Sequence, residues 1–369
     1  MPETDPTPPK PVAKRAVVTR RTVLGAAIAT SATVAPMTAA RAAGPPPAGL
    51  HRIDMHAHLL PPDYRKALLA AGYITVGGYP TPTWSPSAAL EFMGRYGIQT
   101  QVLSVSDPAV TFQSGAKARN LARYCNTYAA DLIRKHPTRF GALAVLPMPD
   151  VLGSLAEIRY ALDHLKLDGV GLLSSYNGVY LGDLRFEPVM AELNRRGAYV
   201  FVHPAAPPAS NKPELPLPDF LYEFTFDTTR AAANLMYTGT IKRYPRIRFQ
   251  LAHAGGTVPF LAKRLSLLDS VELPDIVTDL LPDVPAHIRG FYYDTALSPA
   301  ASAMKSVLEV TGRDHIVFGS DWPFSALTLQ GSGDPQPQLN DTFTSPQRLQ
   351  IERRNALRQL PRLARALHD

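Results

Sequence analysis

From residue 51 to residue 321, eight short apolar runs of strand length alternate with helix-like segments, and that alternation constrains the fold more than any other feature. The runs are 51–58, 100–106, 140–147, 169–174, 198–204, 248–254, 290–296 and 315–321. Amphipathic segments near 87–96, 115–136, 152–164, 186–196, 226–243, 257–270 and 300–311 separate them, and a last helical region spans about 346–367. Apolar runs of this length with helices between them are the mark of a parallel sheet. Eight such units predict an α/β chain folded as a (β/α)8 TIM barrel, with loop insertions at its C-terminal rim. An open doubly wound sheet is the alternative, but no G-x-G-x-x-G follows the first run. Irregular, Pro-rich insertions occupy 59–86, 204–225, 271–289 and 322–345. All but 271–289 begin just after the C-terminal end of a run, where barrel enzymes place their sites.

Polar residues fall at those same ends. His56 and His58 close the first run, I-D-M-H-A-H, and residues two apart share a strand face. His203 ends the fifth run in V-F-V-H-P, His253 the sixth in Q-L-A-H-A-G-G, and Asp321 the eighth in F-G-S-D-W-P-F. A bare H-x-H suits two surface histidines as well as a metal ion. Five such residues on one rim amount to a metal-enzyme complement of four potential ligands and one further base. Asp294, in Y-Y-D-T-A, also ends a run, where a structural contact and a hydrogen bond to a catalytic group are equally compatible with its place. Trp84, Phe112, Tyr176, Phe224, Trp322 and Phe324 are pocket candidates, most of them expected to serve as packing.

The N-terminus reads as an address. A basic stretch containing T-R-R-T-V-L precedes a soft apolar stretch and the small-x-small site Ala40-Arg41-Ala42. This predicts a twin-arginine-type signal peptide over 1–42, a linker over 43–50 and the barrel with its C-terminal helices over 51–369. Export to the periplasm or exterior follows, or a cytoplasmic location if the leader does not function. The first 43 residues hold six basic and two acidic residues, a net +4 of the chain's +7, which leaves an unremarkable +3 for the rest. With no recognisable nucleic-acid motif, no nucleic-acid partner is expected. No segment of the mature chain is long and apolar enough to span a membrane. The lone Cys125 cannot form an internal disulfide and is expected to sit buried in a helix.

The order H-x-H, V-H-P, A-H-x-G-G and G-S-D-W-P-F resembles the amidohydrolase-related metal-dependent decarboxylases typified by aminocarboxymuconate-semialdehyde decarboxylase, across roughly residues 51–360. The stretches 80–93, 97–106, 180–183 and 291–298 look closer to the 6-methylsalicylate decarboxylase branch. The resemblance implies a divalent ion (Zn²⁺, Mn²⁺ or another) held by His56, His58, His203 and Asp321, and His253 as acid/base residue beside it. Related hydroxybenzoate decarboxylases carry Glu at the first His, so His56 places this chain with the H-x-H branch. In that branch an arginine reaches the neighbouring subunit's site. Arg264, in L-A-K-R-L, takes the matching position and implies a homodimer. The family's own-subunit arginine and the aromatic after V-H-P have no counterpart, since Ala205 follows Pro204.

The reading is therefore a metal-dependent carboxy-lyase acting on a small aromatic or unsaturated carboxylic acid such as a 6-methylsalicylate-like hydroxybenzoate. Its catalytic residues are His253 and Asp321, either of which could be the proton donor, and its substrate-binding residues are Arg264, Asp294 and Trp322. The same donors could instead activate water against a lactone, ester or amide. A non-enzymatic binding protein on a barrel is the remaining alternative.

Overall fold

A computed structural model describes residues 52–208, 210, 212–213, 215–267, 283–326, 328–329 and 331–368. The leader at 1–42, the linker at 43–50 and most of the 271–289 insertion lie outside the described residues.

All eight expected strands form: β1 Arg52–His58, β2 Ile98–Ser104, β3 Phe140–Val145, β4 Gly169–Leu173, β5 Tyr199–His203, β6 Arg248–Leu251, β7 Tyr292–Asp294 and β8 Ile316–Val317. They pair in parallel and in chain order. The ring closes between the segment after β8 and β1, through Met55 N to Phe318 O at 2.8 Å, Asp321 N to His56 O at 2.7 Å and His58 N to Trp322 O at 2.8 Å. The strands read as continuous apolar runs because both faces are covered, and every residue of β1, β3 and β5 is buried.

Helices fill the crossovers: α1 Pro86–Arg95, α2 Gly115–Lys135, α3 Val151–Arg159, α4 Glu187–Arg196, α5 Glu223–Tyr237, α6 Val258–Leu265 and α7 Ala301–Leu308. Ser85 caps α1 by accepting from Ala88 N, and Asp150 caps α3 by accepting from Gly153 N. The single helix expected over 226–243 is two, α5 and the short Thr240–Arg243, separated at Thr238-Gly239. Cys125 is buried in α2, and burial pushes its thiol pKa up, which keeps it an inert core residue. No helix among the described residues is long and apolar enough to cross a membrane.

The two ends of the barrel differ in kind. At the N-terminal end Arg52 pairs with Asp334 and Glu352, both at 3.3 Å, and Arg348 pairs with Asp334 at 2.6 Å, a buried network that seals the bottom. At the C-terminal end the 59–86 insertion adds a helix, Pro62–Ala70, and a two-stranded ribbon, Thr75–Val76 with Tyr79–Pro80. The backbone N–H of Phe220, in the 204–225 insertion, donates to Gly77 O at 3.0 Å and ties the two insertions together.

Candidate metal centre and its cavity

Strand alternation aims Asp54, His56 and His58 of β1 at one face. β5 brings His203 to the same place, above Phe201, whose ring lies 4.7 Å from that of His56. Asp321 arrives from the turn after β8. Gly319 in that turn packs so tightly on β1 that a Cβ there would lie 2.7 Å from His56 Cβ, which accounts for the glycine in G-S-D-W-P-F. One donor atom from each of His56, His58, His203 and Asp321 lies within 4.8 Å of every other, and all four residues are buried.

The donor set fits a cation. His56 Nδ1 lies 3.0 Å from Asp294 Oδ2, His58 Nδ1 3.1 Å from Ser104 Oγ and His203 Nδ1 2.8 Å from Pro204 O. Asp294 and the Pro204 carbonyl can only accept, so the protons of His56 and His203 sit on Nδ1 and their Nε2 lone pairs are left free. Ser104 Oγ can donate to Ala57 O, 3.4 Å away, and accept from His58. The Nε2 atoms of His56 and His58 then face each other at 3.2 Å, and both point at Asp321 Oδ1, at 3.3 and 2.9 Å. With the protons so placed, lone pairs and a carboxylate converge on one point, an arrangement that suits a bound cation. Electrostatics points the same way. Burial disfavours charge on His56, yet Asp294 and Asp321 outweigh it and lift its pKa to about 10. Burial dominates at His58 and His203 and lowers both, and neutral imidazole is the form that ligates a metal. At Asp321 the burial cost is overcome by His56, His253 and His58, which hold the carboxylate ionised.

His253 stands beside this cluster, with Nε2 3.4 Å from Asp321 Oδ2. Its Nδ1 is buried without a hydrogen-bond partner among the described residues. The backbone here is strained: His253, Ala254, Gly255 and Gly256 all have positive φ, from 55° to 76°. The second glycine is dictated by packing, because a Cβ at Gly256 would lie 2.1 Å from Thr225 O.

Asp294 is expected either to contact substrate or to bond a catalytic group, and its bonds fit the second and correct the first. It is fully buried, and its two oxygens take His56 Nδ1, Gln250 Nε2 at 2.8 Å, His253 N at 3.0 Å and Ala296 N at 3.1 Å. No acceptor site is left for a ligand, so Asp294 positions His56 and His253 instead. Trp322 stacks on Phe92 with ring centroids 5.3 Å apart and does not line the cavity. Arg264 is exposed on α6 and does not line the cavity. Of the aromatic candidates Phe224 and Phe324 line the cavity. Trp84, Phe112 and Tyr176 pack against Tyr128, Tyr64 and Phe186.

Two residues of the site went unnoticed in the sequence. Asp54, with its pKa raised to about 6 by burial, accepts from Ser320 N at 2.9 Å and Ser320 Oγ at 2.6 Å and from Gln101 at 3.2 Å, tying β1 to β2 and to the Asp321 turn. Gln250 joins Asp294 to Met55 O. Asp54 was legible, since it occupies the histidine face two residues before His56.

Above the cluster lies a cavity of about 100 Å³. That is well below the roughly 300–1,000 Å³ of drug-sized sites, so it suits one small ring. His203, His253 and Asp321 form its floor, and the insertions form its roof with Val76, Tyr79, Phe220, Phe224 and Phe324. None of the described residues lining it is Lys or Arg.

A closed parallel barrel with three histidines and an aspartate on its C-terminal rim defines the class of metal-dependent barrel enzymes. Within that class the chain belongs to the amidohydrolase family, whose model matches residues 53–362. The chain is 37% identical to decarboxylase macB of Penicillium terrestre over 296 residues, 75% of this chain and 86% of that one. It is 35% identical to the 6-methylsalicylic acid decarboxylase of Penicillium expansum over 276 residues, 74% of this chain and 85% of that one. The crystal structure of an amidohydrolase II superimposes with a TM-score of 0.75 at 29% identity, covering 84% of this chain and 99% of the other.

Proposed function

We propose that this protein is a metal-dependent, non-oxidative decarboxylase of a small hydroxybenzoate, with a 6-methylsalicylate-like acid as substrate. The observation that carries the reading is the union of a buried His3Asp cluster with a small, largely aromatic-roofed cavity above it, in a chain whose relatives are decarboxylases. Zn²⁺ or Mn²⁺ would be held by His56, His58, His203 and Asp321, and when bound supplies positive charge that can anchor phenolate and carboxylate oxygens. The apolar roof excludes water and holds the ring in one plane against the floor. The His253–Asp321 pair carries the proton delivered to the ring carbon that bears the carboxylate. The carbon–carboxylate bond then breaks, its electrons restore the aromatic ring, and CO₂ leaves.

Two further expectations belong to this reading. Arg264 would serve the site of a second copy in a homodimer. Its exposure supports this, as does its place one turn after Phe260, which is 83% exposed, on the same helix. The leader sequence supports export of the folded, metal-loaded chain by the twin-arginine route.

The test is a pair of panels on metal-replete protein, hydroxybenzoates scored by CO₂ release and lactones scored by acid release. The account expects 6-methylsalicylate to yield CO₂ and 3-methylphenol in equal amounts. Acid release from lactones without CO₂ from any hydroxybenzoate would overturn it in favour of hydrolysis.

A further inference from the structure

We infer that Ser106 is a substrate-binding residue whose hydroxyl donates to the carboxylate that the reaction removes. The inference rests on the decarboxylase reading and adds a contact at that same site. Ser104 ends β2, and its hydroxyl lies 3.1 Å from His58 Nδ1. Ser106 follows two residues on, with the same parity, and lines the cavity together with His203, His253 and Asp321. The residue is 6% exposed and is held from both sides. Its carbonyl accepts from Ala109 N at 2.7 Å, and the side chain of the next residue, Asp107, accepts from the backbone of Ala206. Its hydroxyl, by contrast, bonds no other described residue and is not sealed off by its neighbours. A small hydroxyl with a backbone acceptor in reach usually takes it. Thr328, also in the lining, does so by donating to Ser325 O at 2.9 Å. Ser106 keeps its proton uncommitted where the cavity meets the metal cluster.

A benzoate brings a full negative charge into this cavity, and none of the described lining residues is Lys or Arg. A carboxylate can only accept, and its two oxygens take more than one donor. Away from water, an oxygen left without a partner is strongly disfavoured. The Ser106 hydroxyl meets that need. Bond breaking then works against the contact. When the carbon–carboxylate bond cleaves, the bonding pair stays with the ring and CO₂ leaves neutral. A donor to the carboxylate is therefore strongest in the bound ground state and fades towards the transition state. Ser106 captures and orients the acid, and the chemical step does not depend on it.

The experiment measures kcat and KM for 6-methylsalicylate, and Ki for the product 3-methylphenol, in metal-replete wild type, Ser106→Ala and Tyr79→Phe. Ser106→Ala is expected to raise KM by about tenfold or more, as loss of a hydrogen bond to a charged group does, with kcat within about twofold of wild type. Ki for 3-methylphenol, which has no carboxylate, should stay within about twofold, and metal per chain should match wild type by elemental analysis. An unchanged KM in Ser106→Ala overturns the inference, while CO₂ release by the wild type keeps the decarboxylase reading standing. So does a loss carried by kcat instead of KM. A Ki that rises in step with KM overturns it as well, because the contact would then be to the phenol oxygen or the ring. Loss of metal in Ser106→Ala would make the residue a support of the metal cluster, and a KM rise confined to Tyr79→Phe would move the contact to that hydroxyl. Either result overturns the inference. No CO₂ from 6-methylsalicylate in the wild type removes both the inference and the reading it rests on.

Discussion

The floor and the roof of the cavity are built by opposite means. Every residue of the floor and of the histidine pair beneath it sits on or just after a barrel strand, and each one is tied at least once to a neighbouring strand or turn: His56 to Asp294, His58 to Ser104, Asp321 to the β1 histidines, His253 to Asp294, and His203 through its carbonyl to Ser174 N. The roof comes from segments far apart in the chain, Val76, Phe220 and Phe324, and is held chiefly by ring-edge contacts and one backbone bond across insertions. A parallel ladder fixes positions to fractions of an ångström, which is what metal ligands and a proton carrier need. Loops can change length and side chain without disturbing that ladder. On the proposed function, chemistry belongs to the floor and contact with the ring to the roof.

Substitutions on the two surfaces should separate accordingly. The largest effect is expected at a ligand: His203→Ala should lose most bound metal by elemental analysis and about a thousandfold or more in turnover, since it removes one of four donors. Retention of full metal content would remove His203 from the ligand set. Next comes Asp294→Asn, which keeps the shape but weakens the charge that orients His56. Metal affinity, measured by competition with a chelator, should fall by about 10- to 100-fold. An unchanged affinity would break the claim that the floor depends on the carboxylate beneath it.

In the roof, Phe324→Leu should raise KM several-fold with metal content and Tm near wild type. Loss of metal there would mean that floor and roof are not separable.

The smallest effect concerns the seam between them. Asp107 follows β2, accepts from the backbone of Ala206, and burial raises its pKa to about 7 from an ordinary 3.8. Its protonated form is the one the fold favours, so stability is full below pH 4 and falls as pH rises towards 7. Asp107→Asn keeps the acceptor and removes that loss. Its gain in Tm over wild type should be a few degrees at pH 8 and smaller at pH 5. A gain independent of pH would contradict the assignment.

The same division governs what the chain made legible. Strands buried on both faces announce themselves as apolar runs, and a histidine or aspartate ending such a run stands out against them. His56, His58, His203, His253 and Asp321 could be brought to one rim from the alternation alone. Asp54 obeys the same parity as His56 and was within reach. Asp294 was legible as a strand-end residue that could bond a catalytic group, but its partners were not, because they depend on Gln250 and His253 reaching it from β6. The roof was not legible. Nothing in the spacing of Val76, Phe220 and Leu297 says that they meet, since their approach depends on how two insertions pack against the turn after β7. Trp322 shows the converse: beside Asp321 in sequence, it is drawn to Phe92 of α1 instead of the cavity.

The most direct test of the account is CO₂ release from 6-methylsalicylate by His253→Ala at measured metal content. The account predicts close to the wild-type amount of metal per chain, because His253 is not among the four converging donors, together with turnover reduced by at least about a hundredfold, because the proton carrier is gone. Wild-type turnover in this variant would contradict it.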